Sequence, residues 1–131
     1  MPFVDDFNIA NDVVLVRVLR YPSWAHPKEQ PTRPSSIAFL DSNGENSCFI
    51  ALEADFAQLA ERFPDLRYGA VTAGNARTAG FRVWRDEAGA DGLPGHVIVG
   101  FEVTDTNFPR YRKAAERLAK TGTIYIPERR A

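Results

Sequence analysis

The sequence feature that most constrains the fold is a run of apolar, mostly β-branched residues from Asp12 to Leu19, Asp-Val-Val-Leu-Val-Arg-Val-Leu. A strand that is apolar at nearly every position has to be covered on both faces, unlike a strand with one face in water. The run therefore predicts a central strand of a sheet. One charged side chain, Arg17, interrupts it, and burying an unpaired guanidinium is very costly.

Later segments show the alternation and the amphipathic spacing that indicate further strands and helices. Two short strands, at 36–40 and 47–52, are predicted to form an antiparallel hairpin around the Asn-Gly turn at 43–44. The other predicted elements are strands at 66–71, 81–84, 96–103 and 123–126 and helices at 53–63, 72–79 and 108–120. This order predicts an α+β fold, with a mixed, mostly antiparallel sheet and about three helices.

Chain length limits the number of domains. A chain of 131 residues has the size of one ordinary domain. We therefore expect residues 1–131 to fold as a single compact domain, with loose ends at 1–11 and 127–131.

Residues 20–35 interrupt the regular pattern. Four prolines fall within these sixteen residues, at positions 22, 27, 31 and 34, and they argue against a ladder or a helix. Long irregular loops are uncommon in compact domains unless they are functional or disordered. Tyr21 and Trp24 in this segment either anchor a partner or pack the loop onto the core. We expect the loop to lie next to the ligand- or partner-binding site of the protein.

Charge and composition exclude several classes of function. The chain has 16 basic and 17 acidic residues, a net charge of −1, so no overall field attracts nucleic acid or an anionic membrane. The basic residues at 110–120 are interpreted as a solvated helix face. One cysteine and two histidines form neither an internal disulfide nor an ordinary closed zinc site, so no metal is expected. The start lacks a secretory pattern and no apolar run is long enough for a bilayer, which indicates a cytoplasmic protein.

Polar residues around the 20–35 loop are the candidate ligand contacts. Arg17 either binds an anionic or carbonyl-rich ligand, or acts as a structural pin bonded to a carboxylate or to loop carbonyls, and we favour the pin. Arg33, Ser35 and Ser36 stand where the loop ends, and a basic side chain beside two hydroxyls suits a phosphate, a ribose or a carboxylate. The serines alternatively satisfy backbone groups of the loop itself.

His96 opens a predicted strand, where its titratable ring is within reach of a site at the end of the sheet. The alternative is a hydrogen-bonded histidine at the edge of the core. Cys48 could form a nucleophilic dyad with His96, but its strand position, which alternates with Phe49 and places it among Ile50 and Leu52, favours a small buried side chain.

Two resemblances rest on short segments. Residues 33–39, Arg-Pro-Ser-Ser-Ile-Ala-Phe, followed by Gly-His-Val-Ile-Val-Gly at 95–100, resemble a set of small bacterial proteins with no assigned activity. The first half, with Leu-Val-Arg at 15–17, Phe-Ile-Ala-Leu at 49–52 and Leu-Ala-Glu at 59–61, also resembles the RES and ADP-ribosyltransferase-like group, which are NAD-handling folds. That resemblance implies a cofactor contact at Arg17 and a helical acid at Glu61, while Phe49 stands where such families often have a tyrosine.

These features give one main hypothesis and two alternatives. The main hypothesis is a module that binds a small molecule or a protein partner, with a pocket formed by Arg17, the 20–36 loop and His96, and no assigned reaction. The first alternative is an ADP-ribosyltransferase-like enzyme that consumes NAD, in which Arg17 holds a phosphate or ribose, Ser36 supports it, and Glu61 or His96 polarises the ribose. The second alternative is a Cys48–His96 hydrolase. NAD is implied only under the first alternative.

Overall fold

A computed structural model describes residues 3–86 and 88–127. The strands are β1 (Val14–Leu19), β2 (Ala25–His26), β3 (Arg33–Pro34), β4 (Glu45–Ile50), β5 (Arg67–Thr72), β6 (Arg82–Arg85), β7 (His96–Gly100) and β8 (Thr123–Tyr125). The helices are α1 (Phe56–Arg62), α2 (Ala73–Ala79) and α3 (Phe108–Thr121). None of the helices within the described residues is long and apolar enough to cross a membrane.

Six strands form one sheet in the order β6-β7-β4-β1-β5-β8, and every pair of neighbours is antiparallel. β1 lies inside the sheet between β4 and β5, which confirms the central strand predicted from the apolar run. Within the described residues, the three α-helices and the antiparallel sheet confirm the predicted α+β fold.

The two faces of the sheet carry separate cores. Helices α2 and α3 cover one face, where Leu15 of β1 is fully buried. Helix α1 covers the other face, where Leu59 packs against Val16, Val18 and Phe49. Because consecutive residues of a strand point to opposite faces, both faces of β1 need apolar side chains. The two cores explain the uninterrupted apolar run.

The predicted hairpin of 36–40 with 47–52 is wrong. Residues Ser36–Phe39 form a 3-10 helix, and β4 pairs with β1 and β7 instead. The physical reason lies in Ala38 and Phe39, which are both completely buried in the core beneath α3. A strand would send these consecutive side chains to opposite faces, whereas a helical turn keeps both in one core.

Two further expectations need correction. The 20–35 loop contains both a 3-10 helix, Pro22–Trp24, and a short ladder, in which Ala25 pairs with Pro34 and His26 with Arg33. From Phe3 onward the start of the chain is not loose, because the Asp6 backbone N–H donates to the Val83 carbonyl at 2.8 Å. Of the loose end expected at 127–131, residues 128–131 lie outside the described part of the chain.

Candidate functional site

The candidate site begins where β1 and β4 stop pairing. Their register contains only Leu15 with Ile50 and Val16 with Phe49, although both strands continue beyond this point. The Arg17 guanidinium lies at this split. Its Nη1 donates to the Ser47 carbonyl at 2.7 Å and its Nε donates to the Ala38 carbonyl at 2.9 Å. Arg17 thus joins β4 to the 3-10 helix that follows the proline-rich loop, and neither of the two carbonyls belongs to the 20–35 loop itself.

Arg17 is a buried charge without an acidic partner among the described residues. Its residue exposure is 8%, and the guanidinium carbon lies 4.8 Å from the centre of the Trp24 ring. No carboxylate of the described residues forms an ion pair with it, and Nη2 has no hydrogen-bond partner among them. Burial lowers the pKa of Arg17 from its ordinary value, and the carboxylate of Asp41 partly offsets this effect. The group stays cationic at neutral pH.

A cleft of about 380 Å³ opens onto this guanidinium, and we call it the Arg17 cleft. Its volume lies within the range of small-molecule sites. Three arginines line it, namely Arg17, Arg20 and Arg62. Three aromatic rings also line it, those of Trp24, Phe49 and Phe63. Two acids, Asp41 and Asp91, complete the charged lining.

The arginines at the rim differ in their partners. Arg62 forms an exposed ion pair with Asp91 at 2.8 Å. Arg20 lies over the Phe63 ring, 5.1 Å from its centre, and forms no ion pair with any described carboxylate. Once Arg62 and Asp91 neutralise each other, Asp41 faces two cations. The cleft therefore carries a net positive charge beside aromatic walls.

The structure does not bring the Arg33 segment into this cleft. Arg33, Ser35 and Ser36 line a separate pocket of about 210 Å³ with Lys120. Ser35 Oγ donates to the Ser23 carbonyl at 2.7 Å, and the Arg33 guanidinium donates to the Pro34 carbonyl at 3.0 Å. Ser35 thus bonds to a backbone group of the loop, which is the alternative interpretation given for the serines.

His96 lies beside the cleft without lining it. The residue is 3% exposed, and its ring centre lies 5.3 Å from that of Phe49, which does line the cleft. Nδ1 donates to the Asp86 carbonyl at 2.9 Å and lies 3.6 Å from the Asp86 carboxylate. Nε2 is buried and has no hydrogen-bond partner among the described residues. His96 is thus a hydrogen-bonded histidine at the edge of the core.

The candidates for the two enzymatic alternatives do not converge. Cys48 pairs with Val97 and belongs to the core beneath α3, whereas His96 pairs with Phe49, which belongs to the opposite core. Burial raises the pKa of the Cys48 thiol to about 11, so at neutral pH it is not a thiolate. Glu61 is exposed on α1 and does not line the Arg17 cleft.

The sequence reasoning missed Arg20, Arg62 and Asp91 as parts of a site. Arg20 directly follows β1 and stands three residues after Arg17, which was an available signal. Nothing in the local sequence around Arg62 and Asp91 distinguishes them from ordinary surface charges, because tertiary packing alone brings them to the cleft.

Comparisons with protein-family models, with curated proteins and with solved structures found no match. The resemblances to small bacterial proteins and to ADP-ribosyltransferase-like folds therefore stay predictions from the sequence. The case for a function rests on the fold and on the geometry of the Arg17 cleft.

Proposed function

We propose that the protein binds a small organic anion in the Arg17 cleft and acts as a ligand-binding module. One observation carries the proposal: Arg17 is buried, faces the cleft and has no carboxylate partner among the described residues. Buried charges in proteins are ordinarily paired, because an uncompensated charge loses its hydration without gaining an equivalent interaction. An anionic ligand would supply the missing partner.

The remaining donors of Arg17 suit such a ligand. Nε and Nη1 are used by two carbonyls, which fix the plane of the guanidinium. Nη2 keeps its N–H groups for an acceptor in the cleft. A fixed guanidinium binds a carboxylate, sulfonate or phosphate oxygen at a lower entropic cost than a mobile side chain does. Arg20 at the rim adds a second cation toward the same ligand.

The walls of the cleft indicate the rest of the ligand. Trp24, Phe49 and Phe63 offer aromatic surface, and such rings contribute much of the binding energy in small-molecule sites. A volume of about 380 Å³ is near the lower end for such sites and suits a ligand smaller than a dinucleotide. We therefore assign the ligand to the class of small anions with a planar or apolar body.

A fluorescence titration with anilinonaphthalene sulfonate tests the proposal, with neutral N-phenylnaphthylamine as the matched ligand without the anionic group. We expect the sulfonate to bind at least tenfold more tightly, which corresponds to about 1.4 kcal/mol. Arg20→Ala should weaken sulfonate binding about fivefold, roughly 1 kcal/mol, and should leave the neutral dye unaffected.

Arg67→Ala is the protein control, because Arg67 is exposed and does not line the cleft. It should leave the affinity for both dyes unchanged. Equal affinities of wild-type protein for the sulfonate and the neutral dye would contradict the proposal. A parallel titration with NAD examines the enzyme alternative, for which nicotinamide release is the decisive signal.

A further inference from the structure

A second charged surface lies on α3, away from the residues that line the Arg17 cleft. Four exposed bases, Arg110, Lys113, Arg117 and Lys120, follow one another at intervals of three, four and three residues. At 3.6 residues per turn this spacing confines them to an arc of about 80° over a length of about 15 Å. We call these four residues the α3 stripe.

The opposite face of the helix explains why the stripe is on the surface. Tyr111, Ala114, Ala115 and Leu118 are buried in the core. The helix is therefore fixed on the sheet by its apolar face, and the stripe points outward as part of a rigid surface.

The charges of the stripe are not neutralised within the described part of the chain. None of the four bases forms an ion pair with a carboxylate there. Glu116 is the acidic residue of α3, and on the helical wheel it lies about 80° from the centre of the stripe. Glu102 lies near the first turn, where it lines a pocket with Arg110. The stripe thus keeps an excess of positive charge.

Pockets at the two ends of α3 extend the basic surface. The pocket at the start, about 220 Å³, holds Arg82 and Asn107 beside Arg110. The Arg82 guanidinium also donates to the Phe3 carbonyl. The pocket at the end of α3, about 210 Å³, holds Arg33 and the Ser36 hydroxyl beside Lys120. Each end therefore adds an arginine from another element and a neutral polar group, beside one glutamate, Glu102 at the start and Glu116 at the end.

We propose that the α3 stripe, with Arg82 and Arg33 at its ends, binds the phosphate backbone of a nucleic acid without reading its sequence. Duplex DNA carries a charge about every 1.7 Å along its axis, so a row of cations about 15 Å long meets phosphates in any register. Arginines, hydroxyls and amides are the groups that contact phosphates most often. An acidic peptide would need a matching spacing of its own carboxylates.

A membrane fits this surface less well. Amphipathic segments that bind membranes place large apolar side chains beside their bases. On α3 the exposed large apolar residue is Phe108, 46% exposed, and it lies about 160° from the centre of the stripe.

The net charge of −1 argues against an overall attraction of nucleic acid to the protein, but it does not describe the local charge of the α3 stripe. Exposed charges are screened over about 8 Å at physiological salt. A bound strand therefore senses the local cluster of bases rather than the sum over the whole surface.

Fluorescence anisotropy with labelled DNA of about 20 base pairs, between about 50 and 200 mM NaCl, tests this proposal. The four bases of the α3 stripe account for a slope of log affinity against log salt of about −3.6 for duplex and about −2.8 for the single strand, and phosphate contacts of Arg82 and Arg33 make the slope steeper. The double variant Lys113→Glu and Arg117→Glu should bind at least tenfold more weakly, and its slope for duplex should be less negative than that of the wild type by about 1.8 because two contacts are lost.

The control double variant, Arg112→Glu and Arg67→Glu, changes the net charge equally. Arg112 is exposed on α3 but lies about 120° from the centre of the stripe. This variant should retain affinity to within about threefold, or 0.7 kcal/mol. An equal loss in both double variants overturns the proposal, as does a flat salt dependence. Tighter binding to polyglutamate or to phosphatidylserine vesicles than to DNA overturns it in favour of that partner.

Discussion

Arg17 and His96 are both buried polar residues on strands of one sheet, yet they differ in their hydrogen-bond partners and in their access to a cleft. Arg17 has two carbonyl partners from separate segments, it lines a cleft, and its Nη2 has no hydrogen-bond partner among the described residues. His96 has one carbonyl partner, and its remaining nitrogen is sealed away from solvent. An unused donor beside a cleft can bind a ligand, whereas a sealed nitrogen only costs stability. Access, and not burial alone, distinguishes a candidate site from a structural compromise.

The largest expected effect is that of Arg17→Ala. The change leaves the Ala38 and Ser47 carbonyls without their donor and creates a cavity at the split between β1 and β4. We expect the free energy of unfolding to fall by about 3 kcal/mol, as measured by urea denaturation.

Arg20→Ala is the matched control for stability, because Arg20 is exposed and makes no hydrogen bond to the described residues. It should change the free energy of unfolding by less than about 0.5 kcal/mol. If Arg17→Ala is also this mild, Arg17 is not a structural pin and the contrast with His96 disappears.

The fold shows which features the sequence could predict. The central place of β1 followed from its apolar run, because no other arrangement covers both faces of such a strand. Arg17 stood out for the same reason, since a charge in that run needs partners. Both inferences depend only on the types of residues that are neighbours in the sequence.

The errors arose where distant contacts decide the structure. Ser36–Phe39 forms a 3-10 helix because Ala38 and Phe39 share one core, and the local alternation does not reveal that requirement. The sequence likewise could not place Arg62 and Asp91 at the cleft, because α1 and the loop before β7 meet only through packing. His96 and Arg17 were expected in one pocket. Phe49 on β4, the strand between those of His96 and Arg17, lines the Arg17 cleft, whereas His96 does not.

A smaller effect concerns Cys48, which lies near Arg17 and is completely buried. Burial raises the pKa of its thiol from 9.0 to about 11, while the nearby Arg17 charge acts in the opposite direction. The folded state therefore favours the neutral thiol. Its contribution is fully present below pH 9 and is lost as the pH rises toward 11, by roughly 2 kcal/mol between pH 8 and pH 10.5.

Urea denaturation between pH 8 and pH 10.5, compared with the variant Cys48→Ala, measures this contribution. The variant should lose less stability than wild type as the pH rises through 9 and 10. Tyr68 and Tyr111, whose pKa values are also raised by burial, contribute equally to both proteins and cancel in the difference. If the free energies of unfolding of wild type and Cys48→Ala fall equally with pH, water reaches Cys48. The core beneath α3, next to the point where β1 and β4 stop pairing, would then be as open as the Arg17 cleft.

The smallest expected effect is that of His96→Leu, which tests the other half of the comparison. The change removes one hydrogen bond to the Asp86 carbonyl. It also removes the buried Nε2, which has no hydrogen-bond partner among the described residues. Because a lost hydrogen bond and a relieved unsatisfied nitrogen have opposite effects of similar size, the free energy of unfolding should change by less than about 1 kcal/mol. Sulfonate dye binding should also be unchanged, since His96 does not line the cleft. A loss as large as that expected for Arg17→Ala would show that Nε2 holds a bound water or ligand in solution, and His96 would then belong with Arg17 as a binding group.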